Sequence, residues 1–506
     1  MGFLVPSSFF FSSGMGMRSA AIQTDDTLAR EMKQIDVINP ATEEIVGAVP
    51  RGTMEDVDRA VHAARTAFRK WRWVPGVEKA AMLHAIAGGI RKRQKELATL
   101  MTREGGKPFC ENRDEVEWTA ACFDYYAEIG RNSRGSSLPP VFEHQVNFTI
   151  KEPYGVVVAI VPWNYPLLLL SWKVAPALAA GNTVIIKPSE ETPLATLALT
   201  GVFAELPEGT VNVVTGYGEE VGEALVKSPG TDLIALTGSI ETGQRVGQLC
   251  AEQIKKAHLE LGGNDPFIVC SDADLEIATR AACWAAYLNT GQVCTGAKRF
   301  YVFESIADEF TKRVVEFTRS LKIGNGMEPD TDIGPLINMR QLTDVHSRIE
   351  EAVREGARVL TGGRRAQQLT KGFFYEPTVM VDVRQNMRLV RTETFGPVLP
   401  IMRVRDIDQA IELANDSTYG LGANIYTNNM EWAMKAMERI TAGTFWINDP
   451  LSDNDAAPFG GMRQTGHSRE LGEEGLDEFR ETKHVHLDYK QEIKPYWYPY
   501  SKYNGV

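Results

Sequence analysis

The chain has 506 residues, 43% of them hydrophobic and 24% charged, a balance that excludes a mostly disordered or collagen-like polymer. Its 54 Lys and Arg stand against 66 Asp and Glu, a net charge of −12, so it lacks the positive field on which non-specific nucleic-acid binding draws. No apolar run reaches the ~20 residues of a membrane-spanning helix: the stretches 155–162 and 165–170 are interrupted by Trp163 and Asn164 and ended by Lys173.

In chain order, residues 1–19 read as a disordered leader, or as the product of a start placed upstream of Met15 or Met17. The first basic residue is Arg18, which makes a poor secretory signal. The chain then reads as helices through 134. The first puts Val57, Val61, Ala64, Phe68 and Trp71 on one face, and 80–101 and 114–130 are two more amphipathic stretches. Gly, Ser and Pro break the pattern at 131–140, and 142–153 alternates like an edge strand.

From 154 the pattern becomes strand, helix, strand, helix. Strands are expected at 155–163, 183–189, 211–216, 232–239 and 256–263, with helices at 171–182, 192–206, 219–228 and 242–256. Nearly continuous apolar strands alternating with helices specify a parallel sheet covered on both faces, with ligands at the carboxyl ends of its strands. The sequences PWN, KPSE, TGYG, TGS and LGG all fall at those ends. A second α/β region follows over 264–455, with helices at 275–290 and 305–321 and strands at 298–303 and 421–427. The aromatic, alternating tail from 481 has no domain of its own; it is expected to pair with the 142–153 strand or with another subunit.

The six cysteines include no C-x-x-C pair, which points to a reducing compartment, taken as the cytoplasm, with most cysteines acting as small buried hydrophobes. His484 and His486 share one face of a strand without further ligand types nearby, so no metal site is expected. Cys294 stands apart: it lies in NTGQVCTGAKR between Gly291 and Gly296, where the backbone can approach a ligand closely. Taken alone it reads as structural or as a nucleophile. Glu260 ends an apolar strand, so it is either solvated, paired, or raised in pKa, and the last would suit a general base. Asn164 follows the first strand, where its amide can donate to a developing oxyanion. Lys187 and Glu190 follow the second and can bind ribose hydroxyls. No G-x-G-x-x-G is present in this sheet; the turn Gly238-Ser239-Ile240-Glu241-Thr242-Gly243 offers a weaker anion-receiving pattern.

Together these sequences resemble the aldehyde dehydrogenase superfamily, in its NAD(P)-dependent, non-acylating form, over about residues 36–488. The motifs that carry the resemblance are INPATEEIVG, PWNYP with SWKVAPALAAGN, KPSEETP, LTGSIETG, LELGG, GQVC, ETFGPV and APFGGMRQTGHSRELG. The resemblance implies Cys294 as nucleophile, Glu260 as general base, and Asn164 with the Cys294 backbone N–H as oxyanion hole. Lys173 would serve as proton relay or structural support. Trp163, Lys187, Glu190, Gly238, Ser239, Gly243 and Leu261 would lie along the dinucleotide, with Glu393 and Phe395 at the nicotinamide ribose and ring. The implied cofactor is NAD, because Glu190 would repel a 2′-phosphate; NADP stays open because Lys187 offsets part of that repulsion.

The implied reaction is oxidation of an aldehyde to the acid through a cysteine thiohemiacetal and thioester. Tyr165 and Trp172 match positions of a substrate aromatic box that binds ammonium groups in betaine-aldehyde and aminoaldehyde relatives, and Phe459 falls where many of them have Trp. LELGGNDPFIV and GQVCTGAKRF are similar instead to the succinate-semialdehyde branch, and plain aliphatic or aromatic aldehydes remain alternatives. The chain departs from the family pattern at Asn264, usually Lys, at Thr295, which takes the place of a second cysteine, and mildly at Arg463-Gln464-Thr465.

The implied fold is a Rossmann-like cofactor domain (20–134 and 154–261), an α/β catalytic domain (262–465) and a small oligomerisation sheet (137–153 and 466–506), in a homodimer or homotetramer. Two other readings are a non-catalytic structural or binding relative, and a thioester or ester hydrolase activity of the same Cys–Glu pair.

Overall fold

The computed structural model describes residues 33–132, 134–494 and 496–500; the leader and both alternative starts lie outside the described residues. Val156–Ile160, Thr183–Lys187 and Leu233–Thr237 bury almost every side chain, as strands covered on both faces must. With Val211–Val213 and Lys256–Glu260 they form a five-stranded parallel sheet in the order 211–213, 183–187, 156–160, 233–237, 256–260. Alternate residues feed two cores. Val157, Ala159, Val184 and Ile186 pack with the helices Gly76–Lys92, Phe109–Arg131 and Leu168–Ala180. Val156, Val158, Ile185 and Ile234 pack on the other face with Met54–Trp71 and Ile240–Ala251.

The helix Met54–Trp71 begins where a capping box places it, Thr53 accepting from Asp56 N–H and the Asp56 carboxylate accepting from Thr53 N–H. Its buried face runs through Val57, Ala60, Val61, Ala64, Ala67 and Trp71. Phe68, expected on that face, is only half-buried and lies under the Arg72 guanidinium, 5.1 Å from the ring centroid.

Three local expectations change. A hairpin of Gln34–Ile38 and Ile45–Pro50 precedes the helices, because Ile35, Val37 and Val49 alternate inward against Leu194 and Leu197. The 192–206 helix is α-helical only over Pro193–Leu199 and tightens to a 3-10 turn at Thr200–Glu205. The 219–228 helix opens with a wide π turn at Gly218–Gly222 before Glu223–Lys227.

The second region forms a seven-stranded sheet, Arg358–Thr361, Thr378–Val381, Val398–Val404, Ala297–Phe303, Asp265–Val269, Gly422–Tyr426, Thr444–Ile447, parallel except at its first pair. The tail strand Arg480–Asp488 pairs antiparallel with Gln145–Pro153 along its whole length, the within-chain pairing its alternation suggested. His484 and His486 there both face Asn147 Oδ1, at 3.2 and 2.7 Å.

One buried ion pair ties the helical segment to the sheet. Lys107 and Glu115 face each other with 3% and 0% side-chain exposure, and Glu115 Oε1 accepts the Leu167 and Leu168 N–H groups at 3.0 and 3.1 Å, at the start of Leu168–Ala180. Glu115→Ala takes the paired carboxylate from the buried Lys107 ammonium and leaves two backbone donors unpaired, at a cost of about 3–5 kcal/mol. The melting temperature in a thermal scan should fall by about 3–5 °C; an unchanged value would contradict this role.

Candidate active site

The carboxyl ends of four parallel strands meet at one edge of the five-stranded sheet. Past Ile160 come Trp163 and Asn164, and past Thr237 come Gly238 and Ser239; Lys187 and Glu260 are the last residues of their own strands. Ser239 caps the helix Ile240–Ala251, its hydroxyl accepting the Thr242 N–H at 3.2 Å. Gly243 in that first turn lies against the Leu261 side chain, whose Cδ2 would be 2.5 Å from an added Cβ, so a side chain here would require Leu261 to shift. Lys187 Nζ and Glu190 Oε2 are paired at 3.1 Å. Trp163 meets Phe395 edge-on at 5.4 Å, and Glu393 Oε1 accepts the Gly263 N–H at 3.4 Å. The residues assigned to a dinucleotide by resemblance therefore share one continuous edge.

Cys294 is presented by a turn with no obvious signal in the sequence. After the helix Leu275–Tyr287, Asn289, Thr290 and Gly291 are all left-handed, with φ of 47°, 58° and 72°. Such a run is strained for Asn and Thr and persists only when its surroundings hold it. Asn289 donates from its amide to the Asn164 and Gln292 carbonyls at 3.1 and 3.3 Å, and its N–H reaches Glu111 Oε2 at 3.0 Å. Lys298 Nζ donates to the Gly291 carbonyl at 2.6 Å, and a Cβ on Gly291 would lie 2.1 Å from the Gly396 oxygen. The half-buried Cys294 then packs against the core that contains Tyr165, Trp172, Val293, Leu421 and Phe459.

Asn164 is held beside it. Its Nδ2 donates to the Gln292 carbonyl at 3.0 Å, which uses one of two amide hydrogens, and its own carbonyl accepts from Lys107 and Asn289. Glu260 is 2% exposed, and neither carboxylate oxygen has a hydrogen-bond partner. Burial first, then the Glu470 charge, push its pKa up to about 8, against the opposing pull of Lys173. Burial also raises the Cys294 thiol well above its ordinary value; among neighbouring charges Glu260 weighs most, followed by Glu393, Asp265 and Asp453. Lys173, fully buried, donates to Thr237 Oγ1 and Glu470 Oε1, both at 2.5 Å.

The three aromatic candidates are brought together only in part. Trp172 and Phe459 pack at 4.8 Å, but one face of Tyr165 is already covered by the Lys107 ammonium, 3.7 Å from the ring centroid. Lys107, Lys298, Glu111 and Asp453 surround the site without having been singled out from the sequence. Their only sequence signal is a charge within or near an apolar or glycine-bearing stretch.

The aldehyde dehydrogenase family model matches residues 27–485. The chain belongs to the aldehyde dehydrogenase family. Among its relatives, an aminoaldehyde dehydrogenase of Arabidopsis thaliana, described as chloroplastic, is 42% identical over 90% of this chain and 93% of its own length. The betaine aldehyde dehydrogenase of Bacillus subtilis is 40% identical over 92% and 96%. The crystal structure of betaine aldehyde dehydrogenase from Staphylococcus aureus in complex with NAD+ superposes with a TM-score of 0.90 at 36% identity, over 92% of this chain and 94% of that one.

A thiol raised in this way carries little thiolate at neutral pH in the unliganded protein. Alkylation by iodoacetamide, followed on the Cys294 peptide by mass spectrometry, should accelerate through pH 9 without levelling. A plateau below pH 7 would show a preformed thiolate and contradict the environment described.

Proposed function

We propose that this aldehyde dehydrogenase uses NAD to oxidise an aldehyde to the carboxylic acid, with Cys294 as nucleophile and Glu260 as general base. The observation that carries the reading is the buried, unpartnered Glu260 carboxylate, the strongest charge acting on the Cys294 thiol. A group ionising near 8 can take the thiol proton and later a proton from water. The sulfur then attacks the aldehyde carbon, and the second Asn164 N–H with the Cys294 backbone N–H receives the oxyanion. NAD, when bound, supplies the hydride acceptor that turns the thiohemiacetal into a thioester. Glu260 activates the water that hydrolyses it, so the product is the free acid.

The residues present fit the cofactor. Gly243 in the first turn of Ile240–Ala251 packs on the Leu261 side chain, Glu190 offers acceptors for ribose hydroxyls, and Trp163, Glu393 and Phe395 line the end nearest Cys294. Glu190 favours NAD over NADP by repelling a 2′-phosphate, and its Lys187 partner tempers that preference.

For the substrate, the reading supported best is an aldehyde bearing an ammonium group. Relatives named betaine and aminoaldehyde dehydrogenases support it, as does Asp453, whose charge acts on both Cys294 and Tyr165. An anionic substrate such as succinate semialdehyde would need a free cation, whereas Lys107 is engaged by Glu115 and Tyr165, and Lys298 by the Gly291 carbonyl. We divide the chain as its sheets divide: a cofactor domain at 20–134 and 154–261, a catalytic domain at 262–465, and an oligomerisation region at 137–153 and 466–506. Exposed Val146, Ile150, Leu487 and Tyr489 on the last support a homodimer or homotetramer. Among the described residues no helix is long and apolar enough to cross a membrane, and all six cysteines are free. Free cysteines support a reducing compartment, and the cytoplasm is the proposed location.

Two measurements test this. Glu260→Gln should keep a single-turnover burst of NADH while steady-state turnover falls about 100-fold or more; unchanged turnover would refute the base assignment. Asp453→Asn should lower kcat/KM for a trimethylammonium aldehyde about tenfold, as loss of a charge contact does, and leave a neutral aldehyde unaffected. Unchanged kcat/KM for the trimethylammonium aldehyde would exclude Asp453 as the source of the preference.

A further inference from the structure

His258 precedes Glu260 by two residues in the strand Lys256–Glu260, so both side chains leave the same face. It is fully buried and wedged between two carboxylates: Nε2 stands 3.4 Å from Glu470 Oε1 and Nδ1 3.8 Å from Glu478 Oε2. The Phe479 ring packs on it at 5.4 Å. Neither ring nitrogen has a closer hydrogen-bond partner.

Both carboxylates are shared. Glu470 Oε1 also takes Lys173 Nζ at 2.5 Å, and that ammonium donates to Thr237, the residue opposite Glu260 in the neighbouring strand. Glu478 Oε2 takes Lys256 Nζ at 2.7 Å at the outer end. Cation and anion thus alternate from Lys173 through Glu470, His258 and Glu478 to Lys256. Glu470 is also anchored to the wall of the site, exchanging backbone hydrogen bonds with Phe459 at 2.6 and 2.7 Å. The remaining titratable neighbours, Tyr126 beside Glu470 and Tyr154 beside Lys256 and Glu478, are both raised by burial and stay neutral.

We propose that His258 is a positioning residue for the hydrolytic half of the reaction: a buried imidazolium between Glu470 and Glu478 that holds Glu470 against Lys173 and lightens the negative charge beneath Glu260. The proposal rests on Glu260 being the general base. Burial alone would discharge the ring, but the two carboxylates more than offset that and hold its pKa above the ordinary histidine value, while Glu470 is held ionised. With a neutral side chain at this position, Glu470 keeps only Lys173 as counter-ion. Its charge then bears more fully on Glu260, whose ionisation moves to higher pH.

The test is the pH profile of steady-state turnover under conditions where thioester hydrolysis limits, for wild type, His258→Gln and His258→Lys. The ascending limb of His258→Gln should move up by about half a pH unit, a roughly threefold loss at pH 7 that fades by pH 9, with the NADH burst retained. His258→Lys keeps a cation between the carboxylates and should return the limb towards wild type. An unmoved limb in His258→Gln, or an equal shift in His258→Lys, would reduce His258 to packing and overturn the proposal. If His258→Gln does not fold, histidine-labelled protein carrying His84→Gln decides the matter by NMR, since His84 is the other ring flanked by two carboxylates. One ring still protonated at pH 7.5 supports the proposal, and none overturns it. Failure here with a Glu260→Gln variant that still blocks hydrolysis removes only the His258 role. A Glu260→Gln variant with full turnover removes both.

Discussion

A carboxylate kept out of water without a hydrogen-bond partner is an expensive arrangement, and the protein maintains one at Glu260. The expense is contained by letting the group stay protonated until near pH 8 and by placing the Lys173 ammonium below it through Thr237 and Glu470. In the proposed mechanism that balance makes a base available at neutrality beside a thiol that burial keeps neutral, and the Asn164 amide and the strained Cys294 turn serve the same step.

The scaffold supplies the positions cheaply. Parallel strands end in register, so residues far apart in sequence, Asn164, Lys187, Gly238 and Glu260, arrive on one edge, at or just past the ends of their strands. The second sheet contributes Cys294 from the loop just before Ala297–Phe303, and Glu393 and Phe395 from the segment before Val398–Val404. Hydrogen bonds that cross between these regions, Asn164 to Gln292 and Asn289 to Asn164, fix the turn that carries Cys294 relative to the Asn164 amide.

The parallel sheet was legible because strands such as Val156–Ile160 need apolar residues on both faces, and a continuous apolar run is its direct signature. Glu260 was legible for the opposite reason, a charge where that run ends. The left-handed passage Asn289–Gly291 was not, since the β-branched Thr290 carries no mark of positive φ and the groups that hold the turn, Glu111 and Lys298, come from other elements. Nor was the ion pair of Lys107 with Glu115, whose ammonium covers one face of Tyr165 and alters the aromatic box expected from the rings alone. His258 drew no notice as one of eight histidines, because both of its carboxylate partners lie more than 200 residues further along the chain. The hairpin Gln34–Ile38 with Ile45–Pro50 was missed because its inward alternation is short and depends on Leu194 and Leu197.

The central claim, that a buried Glu260 hydrolyses a thioester formed on Cys294, is tested most directly by rapid-quench mass spectrometry of the wild-type protein turning over an aldehyde with NAD. An acyl group should be found on the Cys294 peptide, abundant at pH 6 where Glu260 is protonated and declining as pH rises through about 8. No acyl group on Cys294, or an occupancy that does not change with pH, would contradict the account.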